Sequence, residues 1–223
     1  MRLTRFDFPQ GFLFGAATAA RWDAIFDRWF IEAITTGVDP TEASAGLAPD
    51  LALGWQDDMA TIAQAIDWLG VNYDTRHITA DAASAQWPAI RDVPGPMPKT
   101  QMGWQIYPKG LETFLTRIAR DLVGQIRLYR TENGMANADV GERDAVSDQI
   151  REDCLFAQLA AITEAIAAGA NVKGIFYWSH LDDYEWAEGD DKRFGLVPVD
   201  FATQGRTPKS SHHADARALA RNQ

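Results

Sequence analysis

Four short apolar runs, set among longer amphipathic stretches, limit this chain to a narrow range of folds. Residues 11–19 form a continuous apolar run, and 68–73, 126–131 and 172–178 are further strand-like segments built on apolar residues. Runs of that kind mark strands covered on both faces, where half-buried strands would alternate. Residues 23–36, 57–67, 108–122, 148–168 and 208–220 read as helices. In the first, Ile25, Phe26, Trp29, Phe30, Ala33 and Ile34 form a stripe; in the second, Met59, Ile62, Ala63 and Ile66 do; in the third, Leu111, Phe114, Leu115, Ile118 and Leu122 do. Asp23 is a candidate N-cap, Pro108 suits a first turn, and Gly37 and Gly169 suit helix ends. Strand and helix in alternation argue for a parallel sheet with helices outside it. A closed eight-stranded barrel needs about 250 residues, roughly 30 per strand–helix unit. Four units and a long connection fill 223 residues, and eight units do not.

The long connection is residues 74–107, which hold Pro88, Pro94, Pro96 and Pro98. Loops of that length inside a compact domain usually serve a function, often as a lid. Residues 135–147 read as a shorter polar loop. A net charge of −10 works against nucleic acid and anionic membrane surfaces as partners and is compatible with a neutral polar substrate. The single Cys154 allows no internal disulfide, and the four histidines lack metal-ligand spacing, so neither a metal nor a cofactor is expected. No apolar stretch approaches the ~20 residues of a membrane span. The first residues, MRLTR before GFLFGAATAA, read either as a short signal peptide or as a buried first strand. Asp7 and Pro9 interrupt the former, and a cytoplasmic location is the expectation. Eight tryptophans serve either a core or a sugar-stacking surface.

Two acids stand at expected strand ends. Glu132 follows IRLYRT and precedes Asn133-Gly134; Glu185 lies in Asp-Asp-Tyr-Glu-Trp beyond the fourth strand. If those strands are neighbours, both loops open on one face of the sheet. Two carboxylates there are the ingredients of glycoside hydrolysis, about 5–5.5 Å apart in the retaining geometry. They read equally as ordinary loop acids of an acidic chain.

Longer stretches resemble glycoside hydrolase family 1, the β-glucosidase family of retaining (β/α)8 barrels. FPQGFLFGAATAA is similar to its first barrel strand, DRWFIEAITTGVDP to the segment approaching the sixth, and IDWLGVNY to the sixth itself. MGWQIYPKGL leads into the next helix, TENG resembles the nucleophile motif, and YWSHLDDYEWAEGDDKRFGLVPVDFATQGRTPKSS is the most specific block. The resemblance implies that Glu132 is the nucleophile, Trp178 the platform under the sugar ring, Glu185 the residue bonding the O4 and O6 hydroxyls, and Trp186 the one bonding O3. Glu185 would then bind substrate and would not be the acid/base.

The departures are as informative. No Asn-Glu-Pro, the family's acid/base motif at the fourth strand, occurs in the sequence; the third-strand His-Trp pair is absent, and no Gln stands near Trp22. The chain passes from the first strand to a segment beyond the fifth, so family strands 1, 6, 7 and 8 remain. The expected fold is therefore α/β: a partial (half) TIM-type barrel of about four parallel strands with outer helices, forming one domain over 1–223. The tyrosine after Asn-Tyr is replaced by Asp74, and the apolar residue two before Glu132 by Arg130. Strict alternation puts Arg130 on the face of Glu132, where it would pair with Glu132 or Asp182; a register shifted by one would turn it outward. Asp74, His180, Asp182, Asp183 and Glu188 are candidate substitute acids. Raw strand edges and an open inner face predict a homodimer closing the barrel. The expected function is binding or hydrolysis of β-linked glucosides or galactosides, weakened by the missing acid. The alternatives are a sugar-binding pseudoenzyme and a truncated or constructed half barrel.

Overall fold

The computed structural model describes residues 23–39, 46, 51–82, 87–138, 140–142 and 145–220. The expected strand at 11–19 and Trp22 lie outside the described residues. The strands are β1 (Trp68–Asn72), β2 (Thr79–Asp81), β3 (Ile90–Asp92), β4 (Arg127–Glu132), β5 (Val140–Glu142), β6 (Ala145–Ser147) and β7 (Val172–Ile175). The α-helices are α1 (Trp29–Thr36), α2 (Trp55–Ile62), α3 (Pro108–Ile118), α4 (Gln149–Ala167) and α5 (Ser210–Leu219). Wider π-type turns, Asp23–Arg28 and Ala119–Val123, precede α1 and extend α3.

β1, β4 and β7 form one parallel sheet in the order β1-β4-β7. The two strands expected to carry the acids are thus neighbours. Helices cover one face of the sheet. Val71, Leu128 and Val172 meet Leu111, Leu115 and Ile118 of α3 and Ile162 and Ala165 of α4 in the main core. The other face stays open: Trp68 packs edge-on against Tyr129 with ring centroids 5.7 Å apart, yet Trp68 is 51% exposed and Phe176 57%. Among the described residues the result is a stretch of barrel wall, helix-covered on one face and with half-exposed aromatics on the other, which is a partial barrel.

Several expectations shift. α2 ends at Ile62 instead of 67 and buries none of its residues, so the stripe of Met59 and Ile62 does not face the core. A helix must release the chain before a strand can start, and only five residues separate Ile62 from Trp68. Asp23 caps nothing: its carboxylate accepts from Arg28 (2.9 Å) and Arg117 (2.5 and 2.9 Å), tying the turn before α1 to α3. Pro108 does occupy the first turn of α3, and Gly37 ends α1 in the left-handed conformation. The long 74–107 connection carries the β2–β3 hairpin, and 135–147 the β5–β6 hairpin. Regular strand stops at Ile175, before the expected 178, although Phe176 and Trp178 still donate backbone bonds to Arg130 (2.8 Å) and Asn133 (3.0 Å).

Candidate functional site

Glu132 is the last residue of β4, at the carboxyl end of the sheet where loops of parallel strands converge. The four residues Thr131 to Gly134 each have a physical job. The Thr131 hydroxyl donates to Asn72 Oδ1 across to β1 (2.7 Å). Glu132 accepts from the Tyr73 backbone N–H through its own carbonyl (3.1 Å), which fixes its backbone and leaves the side chain free. The Asn133 amide, 2% exposed, donates to the Tyr73 carbonyl. Gly134 is glycine because a Cβ there would stand 1.6 Å from the Trp178 carbonyl oxygen. That close approach joins the end of β4 to the loop after β7.

A bulge decides which way the side chains of β4 point. The β1–β4 register runs Val71 to Arg130 and then Asn72 to Glu132, skipping one residue. Up to Arg130 the strand alternates: Leu128 and Arg130 are fully buried toward the helices, while Arg127 and Tyr129 line the open face. The bulge lets both Thr131 and Glu132 join that open face. Arg130 therefore does not share the face of Glu132, and the outward register holds. Its guanidinium makes no hydrogen bond to Glu132 or Asp182 and finds no partner among the described residues. Burial pulls its pKa down to about 10, against the nearby Tyr177, Cys154 and Asp74.

Around Glu132 lies a cavity of about 540 Å³ lined by Trp68, Arg127, Tyr129, Thr131, Phe176 and Trp178 among others. Glu185 closes in from the loop after β7. Burial raises its pKa, the Trp178 indole N–H opposes this by donating toward the carboxylate, and Asp183, Glu132 and Glu188 raise it further. Asp74, just past β1, is raised to about 6. Burial is the main cause; the Gly134 N–H (3.3 Å) and Arg130 counter it, while Glu132 and Glu185 add to it. Glu132, Trp178, Glu185 and Asp74 thus form one neighbourhood of an indole and three carboxyls.

The other expected residues sit elsewhere or at the margin. Trp186 is 84% exposed and is not among the residues lining the cavity. The Asp182 side chain is fully buried and engaged by the Gly195 N–H (2.9 Å), the Val199 N–H (3.2 Å) and Arg193 (3.3 Å), so it organises the loop. His180 is exposed and lies by His212, ring centroids 6.3 Å apart. Glu188 is exposed and pairs with Lys192 at 3.7 Å. Asp183 is raised, first by burial and then by Asp182, and its Oδ1 is buried without a partner among the described residues.

Sequence reasoning missed the support beneath this site. Asp148 and Arg151, at the start of α4, are both fully buried and joined at 2.8 Å. Asp148 also accepts from the Ser210 hydroxyl (2.8 Å), the Ser211 N–H (2.9 Å) and the Ser211 hydroxyl (2.6 Å). Arg151 donates to the carbonyls of Met135, Arg193 (3.1 Å) and Phe194 (3.4 Å). One ion pair thereby holds the loop after β4, the loop after β7 and the start of α5. The serines ended a recognisable block, but nothing in their spacing named Asp148 as their partner.

The model of the family described as "Glycosyl hydrolase family 1" matches residues 19–218. "Beta-glucosidase A" of Thermotoga maritima is 40% identical over 170 residues, 75% of this chain and 37% of that protein. A "1,4-beta-D-glucan glucohydrolase" of Thermotoga neapolitana is 38% identical over 92% of this chain and 46% of its own length. A "6-phospho-beta-galactosidase" of Streptococcus equi subsp. zooepidemicus is 45% identical over 52% of this chain and 24% of that protein. Among solved structures, the family 1 β-glucosidase from Thermotoga maritima superposes with a TM-score of 0.84 at 36% identity, covering 90% of this chain and 46% of that one. The same enzyme in complex with deoxynojirimycin gives 0.82. The chain therefore spans less than half the length of these relatives.

Proposed function

The chain belongs to glycosyl hydrolase family 1 in an internally shortened form, and on that premise we propose that it acts on β-linked glycosides with Glu132 as nucleophile. In this reading Trp178 carries the apolar face of the sugar and Glu185 accepts from its hydroxyls. Glu132 attacks the anomeric carbon, the aglycone leaves, and water then hydrolyses the glycosyl–enzyme ester. The observation that carries the reading is the convergence of Glu132, Trp178 and Glu185 beside one open cavity of about 540 Å³. Trp186, exposed, joins only if the loop turns it inward on binding.

The sequence contains no Asn-Glu-Pro, and the aglycone must leave without that acid. Loss of general acid–base help costs about 10²–10⁴ in rate, so turnover is confined to aglycones that are stable anions. Asp74 and Glu185 add negative charge near Glu132, which disfavours a phosphorylated sugar. The substrate class is thus an unphosphorylated glucoside or galactoside. The test is release of dinitrophenol from a dinitrophenyl β-glucoside by wild type and Glu132→Gln. Equal rates refute the nucleophile role.

The missing Asn-Glu-Pro also favours a second reading, a pyranose binder without turnover. Saturable quenching of tryptophan fluorescence by cellobiose, with no dinitrophenol release, would select it. In either reading the bare inner face, with Trp68 and Phe176 half exposed, is closed by a second copy of this chain. Light scattering at micromolar concentration should give twice the chain mass; a clean monomer removes the dimer.

A further inference from the structure

A second cavity, of about 540 Å³, lies past the end of β1 and against α3. It shares no lining residue with the cavity around Glu132. Four aromatic rings line it, those of Tyr73, Trp104, Tyr107 and Phe114. Its walls are tied together. The Tyr73 hydroxyl donates to the Tyr107 carbonyl (2.8 Å) and the Thr75 hydroxyl to the Gln105 carbonyl (3.2 Å), which joins the chain after β1 to the segment entering α3. Two glycines make room for these side chains. A Cβ at Gly110 would stand 2.0 Å from the Tyr73 hydroxyl, and one at Gly95 would stand 1.9 Å from Gln105 Oε1.

Arg76 brings a charge to this cavity that the protein does not use. Its guanidinium lies over the Tyr107 ring, 3.7 Å from the ring centre. Its Nη2 reaches Gln105 Oε1 only at 3.4 Å, and its Nε is buried without a partner. Among the described residues no carboxylate pairs with it, although the chain carries 31 Asp and Glu. The other cations of the cavity are engaged: Arg117 gives two nitrogens to Asp23 at 2.5 and 2.9 Å, and His77 meets Asp92 at 3.3 Å. A guanidinium held flat on a ring, with its fork unpaired, is matched by a planar carboxylate. Asp27 and Asp74 line the same cavity, and two acids there oppose phosphate more than a single carboxylate. We propose that this cavity binds a small aryl carboxylate, with its ring against Trp104 and Phe114 and its carboxylate on Arg76. The proposal concerns binding alone and stands whether or not Glu132 is a nucleophile.

The experiment is calorimetric titration of the full chain with benzoate, with benzamide as its uncharged twin and inorganic phosphate as the more highly charged anion. Wild type should bind benzoate with a Kd of about 1 mM, the range open to so small a ligand. Benzamide should bind about tenfold more weakly, because the charge-assisted pair is lost; equal affinities refute the part given to Arg76. Arg76→Gln should weaken benzoate by the same factor and leave benzamide unchanged, and unchanged benzoate binding overturns the proposal. Arg76→Lys should recover part of the loss, since the charge stays and the fork goes. Glu132→Gln should bind benzoate as wild type does; a loss there places the anion in the other cavity and overturns the proposal. Phosphate binding tighter than benzoate refutes the ligand class. If Arg76→Gln does not fold, the wild-type protein decides. Intermolecular NOEs should run from the benzoate ring protons to the Trp104 indole. NOEs to Trp178 in their place refute the site, as does an absence of binding at about ten times the expected Kd.

Discussion

Replacing Arg130 by methionine should make the protein more stable. Its guanidinium is completely buried, and all three nitrogens lack a hydrogen-bond partner among the described residues. A buried charge in that condition is disfavoured, and the magnitude follows from how far burial displaces its titration. The fall from the ordinary guanidinium range to about 10, at about 1.4 kcal/mol per pH decade, makes the charge cost about 3 kcal/mol at neutral pH. The sign follows from proton binding. Above pH 10 the unfolded chain still holds a proton that the folded chain has lost, so stability rises with pH there and the full penalty applies below 10. Methionine fills much of the same volume without charge, and exchanging a poorly compensated buried charge for an apolar side chain gains about 1–4 kcal/mol. Part of the gain is returned at Asp74, which loses a nearby positive charge. A net 1–3 kcal/mol corresponds to a rise of roughly 3–10 °C in Tm for a chain of this size. Thermal and urea denaturation at pH 7 provide the assay, and the advantage should shrink above pH 10. A variant less stable than wild type at pH 7 refutes the reasoning and means that Arg130 is compensated in the folded state.

The opposite sign is expected at Asp148. Asp148→Ala leaves Arg151 buried with backbone carbonyls only, and breaking a buried pair from one side costs about 3–5 kcal/mol, read as a lower urea midpoint. Burial would raise the Asp148 pKa, but hydrogen bonds from Ser211, Ser210 and Arg151 outweigh it and hold the carboxyl below its ordinary 3.8. The stability it lends is therefore fully present above that value and is lost as the pH falls through the lower folded value. Wild type should lose stability steeply below about pH 4, and Asp148→Ala should show a shallower acid limb; identical acid limbs would remove Asp148 from the account.

The strand segments were legible from local patterns along the chain, whereas their neighbouring, and with it that of Glu132 and the loop after β7, followed only from the family resemblance. Apolar runs placed β1, β4 and β7, and a strand–helix alternation leaves few ways to lay them side by side. The facing of Arg130 was not legible. It depends on a one-residue bulge between Val71–Arg130 and Asn72–Glu132, and a bulge leaves no trace in a period-two reading of LYRTE. The pairing of Asp148 with Ser211 spans 63 positions, beyond the reach of any local pattern. The same limit explains Asp182 and Asp74. Both are acids near strand ends, and composition cannot rank them. Three donors engage the buried Asp182. Burial first, with two acidic neighbours set against one backbone N–H and Arg130, raises Asp74 to about 6. The surroundings of each acid, its burial and its partners, are fixed only once the sheet has brought β1, β4 and the loop after β7 together.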